Sequence, residues 1–187
     1  MRELSLHILD VAENGITAGG DCIWIEVDED RKADLMKIVI RDNGRGMPVE
    51  KMQNIDDPFI TSRTTRRVGL GLSLLSVAAE RCDGTVSVDS QPGKGTEIAA
   101  TFQHSHIDRA PLGDMASTVT TLIFGNPGID FVYSHRIDGR DFSLDTREIR
   151  NEMEDLSLSD PVVIHHLTES IRSALKELTS DKGDSEP

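Results

Sequence analysis

The sequence has few aromatic residues, little positive charge and no long apolar run. Phe, Trp and Tyr make up 4% of the 187 residues, so the core must be mostly aliphatic. The formal net charge of −13 disfavours binding to nucleic acid or to anionic lipid, because both need a basic protein surface. No stretch approaches the length of a membrane span. We therefore expect a cytoplasmic protein whose partners include neither nucleic acid nor a membrane.

Metal-binding and phosphate-binding signatures of the common kinds are also missing. Cys22 and Cys82 form no C-x-x-C pair, which indicates two reduced, buried thiols. The segment HSHID at residues 104–108 has metal-ligand residue types, but a lone cluster in a linker is more typical of a polar connector. Neither G-x-x-x-x-G-K-[ST] nor G-x-G-x-x-G occurs in the chain.

Hydrophobic periodicity over residues 1–103 predicts an α+β domain, with helices layered on one face of a mainly antiparallel sheet. A short helix is expected after Pro48 and an irregular loop over residues 56–69. The first helix has an apolar side and a polar side, and the polar side holds His7, Asp10, Asn14 and Thr17. This first helix is predicted at residues 4–18. The other predicted elements are a helix at residues 70–82 and strands at residues 21–29, 35–40, 85–90 and 96–102.

Residues 104–187 differ in character and are interpreted as a C-terminal α/β extension, either a small second domain or a layer packed on the first. A hairpin is predicted around Asp138-Gly139, since this pair is a strong turn signal between two alternating segments. Helices are predicted at residues 115–124, 147–156 and 161–178, and the polar end of the chain is expected to be frayed.

The segment RDNGRGMP at residues 41–48 places Asp42 at the end of a strand, followed by Gly44 and Gly46. Glycine lets the backbone approach a flat ligand closely. An ionised aspartate only accepts hydrogen bonds, so it suits an exocyclic amine such as that of adenine. The alternative is a plain surface turn, because Asn-Gly is a common turn pair.

Two further patterns suit a phosphorylated ligand. Three arginines in TSRTTRRVGLGLS (61–73) precede a glycine-rich helix entry, and such an entry offers free N–H groups to an anion. Asp10 and Asn14 are i and i+4 on one helix face, where a carboxylate and a carboxamide suit Mg²⁺ and the activation of a hydroxyl or water. The alternatives are a solvated basic loop and an ordinary polar helix face.

Four segments occur in a fixed order: LDVAENGITAG (9–19), DNGRGM (42–47), DPFITSRTTRRVGLGLS (57–73) and GKGTEIAATF (93–102). Together they resemble the N box, G1 box, F and G2 boxes and final glycine–threonine box of the GHKL superfamily. That superfamily includes the ATP-binding domain of histidine kinases, DNA gyrase B subunits, MutL and the ninety-kilodalton heat-shock chaperones. The extension after residue 103 looks like that of small stand-alone bacterial ATP-binding proteins.

The resemblance implies a Bergerat-type α/β sandwich that binds ATP or ADP with Mg²⁺. Asn14 matches the residue that holds Mg²⁺, Asp42 the residue that reads adenine, and Thr96 the threonine that helps to bind adenine. The rest of the nucleotide-binding set implied by the four boxes is Gly44, Gly46, Met47, Arg63, Arg66, Arg67, Gly69, Leu70, Gly71 and Leu72.

Two departures from the superfamily pattern stand out. Asp10 occupies the position where histidine kinases have asparagine and where other branches have a glutamate that acts as general base. It keeps the carboxylate with one methylene fewer, so it is the candidate catalytic residue. Gly15 replaces the alanine that usually follows the N-box asparagine.

The expected function is a Mg²⁺-dependent, ATP-binding signalling or regulatory protein, either an ATPase or a Ser/Thr-type protein kinase acting in trans. Few residues precede Asp10, so we do not expect a histidine kinase that phosphorylates itself in cis. The alternative is a non-enzymatic module that senses ATP or ADP and regulates a partner. The partner or phosphoacceptor is expected to be another protein, and a homodimer is compatible with the pattern.

Overall fold

The structure is a computed structural model that describes residues 3–48, 70–152 and 157–180. Its helices are α1 (Leu4–Thr17), α2 (Leu70–Glu80), α3 (Met115–Gly125), α4 (Thr146–Glu152) and α5 (Pro161–Thr179). Its strands are β1 (Cys22–Asp30), β2 (Leu35–Asp42), β3 (Val86–Gln91), β4 (Gly95–Gln103), β5 (Asp130–Ile137) and β6 (Arg140–Asp145). The helix expected after Pro48, the loop over residues 56–69 and the last residues of the polar tail lie outside the described ranges. None of the described helices has the length and apolar character needed to cross a membrane.

One mixed sheet contains all six strands, in the order β3-β4-β2-β1-β5-β6. Strands β1 and β5 are parallel, and the other four pairings are antiparallel. The predicted α+β class with a mainly antiparallel sheet is confirmed. The division of the chain at residue 103 stays a prediction, but the sheet itself continues across it, because β5 pairs with β1 from Cys22 to Glu29.

The core lies between the helices and one face of the sheet. On β1, the buried residues Ile23, Ile25 and Val27 alternate with the more exposed Trp24 and Glu26, as expected for a sheet with one buried face. Aliphatic residues from the strands and helices form one continuous cluster, so the prediction from the low aromatic content holds.

Helix α1 lies over β1 and β2, with α2 and α3 packed against it. These neighbours cover more of its surface than the sequence pattern predicts. His7, placed on the polar side by its spacing, is 2% exposed, so that assignment was wrong. Its buried Nδ1 has no hydrogen-bond partner among the residues that the structure describes. Asp10 and Asn14, further along the same side, are only half-buried.

The hairpin between β5 and β6 turns at the predicted pair. Asp138 has φ of 49° and Gly139 has φ of 83°. Two successive positive φ values match the type of turn whose twist suits a tight hairpin. Glycine and aspartate tolerate this conformation better than most residues do.

A buried polar network ties β1 to β5 and to the connector after β4. Glu29 Oε1 lies 3.0 Å from His135 Nε2, and Glu29 Oε2 lies 2.9 Å from His104 Nε2. His135 Nδ1 in turn lies 2.8 Å from the Tyr133 hydroxyl. Burial acts to raise the pKa of Glu29, but the hydrogen bonds and charges of His135 and His104 together lower it below its ordinary value.

Replacing Glu29 with glutamine should destabilise the fold by about 2 kcal/mol at pH 7, since it removes a buried charged acceptor of two hydrogen bonds. A carboxyl whose folded-state pKa is depressed stabilises the protein above its unfolded-state pKa of about 4.3, and this contribution disappears as the pH falls through the folded value. The difference between the two proteins should therefore shrink below about pH 4.

The measurement is urea unfolding at pH 7 and under acid conditions. Glu26→Gln is the matched control, because Glu26 lies on the same strand with an exposed side chain. An equal loss of stability in both variants, or a loss independent of pH, would contradict the assignment.

Candidate functional site

Asp42 lies at the end of β2, where the strand meets the end of α1. Its neighbour across the sheet is Thr96 on β4. By the alternation along β2 and β4, both residues are on the sheet face that carries the buried side chains. One carboxylate oxygen, Oδ1, accepts a hydrogen bond of 2.8 Å from the Gly44 N–H. Burial raises the pKa of Asp42 above its ordinary value, although backbone hydrogen bonds from Gly44 and Thr96 act to lower it. A carboxylate has further acceptor capacity, so Asp42 can also bind a donor on a ligand.

Close backbone approaches explain two of the predicted glycines. A Cβ on Gly44 would lie 2.9 Å from the Ala18 carbonyl oxygen. A Cβ on Gly46 would lie 2.0 Å from the Gln91 carbonyl oxygen, and Gly46 also has φ of 63°. The turn after β2 is therefore pressed between the end of α1 and the β3–β4 hairpin.

A third glycine, Gly15, brings α1 against Asp42. A Cβ on Gly15 would lie 2.7 Å from the Asp42 Cβ and 3.0 Å from Ile23 Cδ1. No real side chain makes such contacts without displacing its neighbours. The departure from the usual alanine at this position thus has a physical cause: in this chain α1 and β2 pack too closely for a methyl group.

Asp10 and Asn14 lie one turn apart on α1. Neither side chain makes a hydrogen bond to any residue in the described ranges. Both are half-buried, and polar groups in such positions usually have partners. Two oxygen-bearing side chains left free at this spacing form a donor set that suits a hard cation such as Mg²⁺.

The N-terminus of α2 lies directly against Asp10. A Cβ on Gly71 would be 3.0 Å from the Asp10 Cβ. The first residues of α2 are therefore in contact with the second turn of α1. The free N–H groups and the positive end of the dipole at a helix N-terminus favour an anion. Phosphate oxygens placed there would be close to Asp10.

The remaining predicted residues fall into three groups. Met47 lies beside the β3–β4 hairpin, where its N–H donates a hydrogen bond of 2.8 Å to Ser90 Oγ. Leu70 begins α2, and Leu72 packs against the core. Arg63, Arg66, Arg67 and Gly69 lie outside the described ranges, so their part in the site stays a prediction.

Sequence reasoning missed one residue next to the site. Ser90 is 4% exposed and contacts Met47, Gly95 and Thr96 together. In the sequence, Ser90 is a polar residue at the end of a strand with alternating hydrophobicity, which is common and does not indicate a functional site. Its one distinguishing signal was its position six residues before Thr96 across a short turn.

A cavity of about 280 Å³ opens at the same end of the sheet, and its lining includes Trp24, Arg41 and Glu97 from the exposed face. The Arg41 guanidinium lies 4.2 Å from the centre of the Trp24 ring. The cavity reaches Asp42 and Thr96, but its lining includes neither Asp10 nor Asn14. Its lining thus includes the predicted adenine contacts but neither the candidate catalytic residue nor the candidate metal ligand.

Residues 2–106 match the model of the family described as "Histidine kinase-, DNA gyrase B-, and HSP90-like ATPase". This match covers more than half of the chain. The chain belongs to this ATPase family. ATP binding is the shared property of the family, and the free polar groups around Asp42, Asp10 and Asn14 fit a nucleotide with its metal ion.

Two curated bacterial proteins match part of the chain. The chain is 32% identical over 117 residues to the non-motile and phage-resistance protein of Caulobacter vibrioides, a match that covers 58% of this chain and 14% of the relative. It is 28% identical over 102 residues to sporulation kinase A of Bacillus subtilis, covering 54% of this chain and 16% of the relative. The chain therefore matches only a small part of the length of either relative.

The fold also resembles a solved structure described as the N-terminal domain of a DNA repair protein. The TM-score is 0.53 at 15% identity, and the match covers 78% of this chain and 53% of that chain. At this identity the likeness concerns the fold alone.

Replacing Gly15 with alanine should weaken ADP binding about tenfold, because the new methyl group would displace Asp42 from its position. Titration calorimetry gives the affinity. Gly128→Ala is the matched control, since no atom lies within 4 Å of a Cβ built there. Within a helix, alanine is more favourable than glycine by up to about 1 kcal/mol. If Gly15→Ala loses ADP affinity while its thermal stability is unchanged or raised, the effect is local to Asp42. Unchanged affinity would contradict it.

Proposed function

We propose that the chain is a Mg²⁺-dependent ATP-binding enzyme that transfers the terminal phosphoryl group to water or to a hydroxyl of a partner protein. The observation that carries this proposal is the pair Asp10 and Asn14: two half-buried side chains with oxygen atoms, free of partners in the described part of the chain. Gly71 at the N-terminus of α2 lies against the first of them. A pure binding module would have no need of a free carboxylate at this point.

In this proposal Asp10 is the general base. A carboxylate one helical turn from the metal ligand can accept the proton of the attacking hydroxyl as the new O–P bond forms and the bond from the γ-phosphorus to the leaving ADP oxygen breaks. Its shorter side chain is accommodated because Gly71 lets α2 approach α1 closely. The expected cost of the missing methylene is thus offset by the packing of the two helices.

Asn14 would hold Mg²⁺, and Asp42 would fix the adenine end. Bound Mg²⁺ supplies charge neutralisation for the phosphates. Asp42 accepts from the exocyclic amine while Thr96 lies directly across the sheet. The nucleotide phosphates are proposed to be bound by Arg63, Arg66 and Arg67 together with Gly69.

The biological setting that fits this site is regulatory phosphorylation or ATP hydrolysis in the cytoplasm. The C-terminal extension shares the sheet with the ATPase domain through the β1–β5 pairing. A partner bound to the extension would therefore contact the same rigid unit that carries the site. We propose that the partner or phosphoacceptor is a protein, engaged in trans.

The test is incubation with Mg²⁺ and γ-labelled ATP, followed by analysis of the label. Free phosphate or labelled protein would support an enzyme, and the Mg²⁺-dependent activity should be lost in Asn14→Ala. ATP bound tightly with the label retained, in the presence of candidate partners as well, would favour the non-enzymatic sensor instead.

A further inference from the structure

Ser90 occupies the centre of a hydrogen-bond cluster beneath the predicted adenine contacts. Its Oγ accepts a hydrogen bond of 2.8 Å from the Met47 N–H and donates one of 3.0 Å to the Gly95 carbonyl oxygen. The same atom lies 2.9 Å from Thr96 Oγ1. Ser90 is 4% exposed, and all three of these partners are protein atoms.

The three contacts determine which residue is the donor in the hydrogen bond between the Ser90 and Thr96 hydroxyls. A serine hydroxyl has one proton and two acceptor positions. The proton goes to Gly95, because a carbonyl oxygen can only accept. The Met47 N–H occupies one acceptor position, since an amide can only donate. The remaining contact is therefore satisfied only if Thr96 donates its proton to Ser90.

We propose that Ser90 is a positioning residue that fixes the Thr96 hydroxyl as a hydrogen-bond acceptor toward the nucleotide base. This inference rests on the proposed binding of ATP. With its only proton committed to Ser90, Thr96 Oγ1 presents lone pairs to a ligand. Asp42, directly across the sheet from Thr96, is also an acceptor when ionised. Thr96 and Asp42 therefore present two acceptors and no hydroxyl donor at this end of the site.

The consequence is selection of the group at position 6 of the purine. A 6-amino group donates hydrogen bonds and satisfies both acceptors. A 6-oxo group, as in inosine diphosphate, would face the lone pairs of Thr96. Ser90 thus contributes to base selection without contacting the base, and it does so by keeping Thr96 from turning its proton toward the ligand.

The experiment compares the dissociation constants of ADP and inosine diphosphate in the native protein, Ser90→Ala, Thr96→Val and the double variant. In Ser90→Ala the Thr96 proton is free to turn toward a 6-oxo group, so the preference for ADP should fall about three- to tenfold. Thr96→Val should lower ADP affinity and leave the affinity for inosine diphosphate unchanged or higher. The double variant should have the same preference as Thr96→Val alone, because Ser90 acts only through Thr96.

Ser87→Ala is the matched control, since Ser87 lies on the same strand with an exposed side chain and should leave the preference unchanged. If Ser90 had only a structural role, Ser90→Ala would lower the affinities for ADP and inosine diphosphate by the same factor. That result would overturn the proposal. If Ser90→Ala does not fold, the Thr96→Val arm decides: an equal loss for both nucleotides would refute an acceptor-only Thr96. Failure of the native protein to bind ADP at all would instead remove the proposed function.

Discussion

Replacing Asp42 with asparagine should weaken ADP binding by about 10- to 100-fold, the range expected for losing a charged hydrogen-bond acceptor. The amide also places a donor where the adenine amine needs an acceptor. Oδ1 of the asparagine can still accept the Gly44 N–H, so the turn after β2 should keep its shape. The change therefore removes recognition with little disturbance of the fold.

The same variant should be more stable than the native protein at neutral pH. Burial raises the pKa of Asp42 in the folded state, so ionisation at pH 7 opposes folding. This penalty is relieved as the pH falls through the raised pKa. The difference in melting temperature should accordingly be largest near pH 7 and should vanish under acid conditions.

Thermal unfolding and calorimetric titration across the pH range test both statements on one pair of proteins. ADP affinity of the native protein should fall on acidification, since a protonated Asp42 has an O–H donor where the adenine amine needs an acceptor, whereas Asp42→Asn should show no such fall. Equal stability at all pH values would contradict the assigned burial. Unchanged ADP affinity would exclude Asp42 as the residue that reads the base.

Replacing Asp10 with asparagine should reduce phosphoryl transfer by about 10²- to 10⁴-fold, the range typical of a positioned general base. ADP affinity should stay unchanged, because Asp10 makes no hydrogen bond that holds the described site together. The loss would therefore appear in the turnover number at saturating ATP. Phosphate release, or transfer to a partner once one is known, gives the rate.

Glu13→Gln is the matched control for Asp10→Asn. Glu13 is on the same helix, with an exposed side chain, and the substitution changes charge by the same amount. Equal activity in both variants would remove Asp10 from the reaction. A loss of ADP binding in Asp10→Asn would assign it to nucleotide or metal binding instead.

The elements that the sequence predicted well are those specified by local pattern. The 3.6-residue spacing of Leu4, Ile8 and Val11 predicted α1, and the Asp138-Gly139 pair predicted the last hairpin. Both depend on neighbours within a few residues. The glycines at positions 44 and 46 were also predicted, and the structure gives the reason in the close backbone contacts of the turn.

The features that the sequence did not predict depend on partners that are distant in the chain. The parallel pairing of β1 with β5 joins Cys22 to Asp130, and no local pattern specifies such a partner. His7 was misassigned because α2 and α3 cover a side of α1 that is polar by composition. Ser90 was missed because its partner Met47 lies 43 residues away.

The pairing of β1 with β5 determines which part of the chain can be studied alone. The family's motifs end at Phe102, but without β5 the strand β1 would have a row of unpaired N–H and C=O groups along one side. Such an open edge is a template for pairing with other chains. The first N–H groups of α1 would also lose their acceptors, since Leu4 and Ser5 donate to the carbonyls of Pro111 and Leu112. The smallest fragment that folds cleanly therefore extends well beyond the motifs, through the last strand of the sheet.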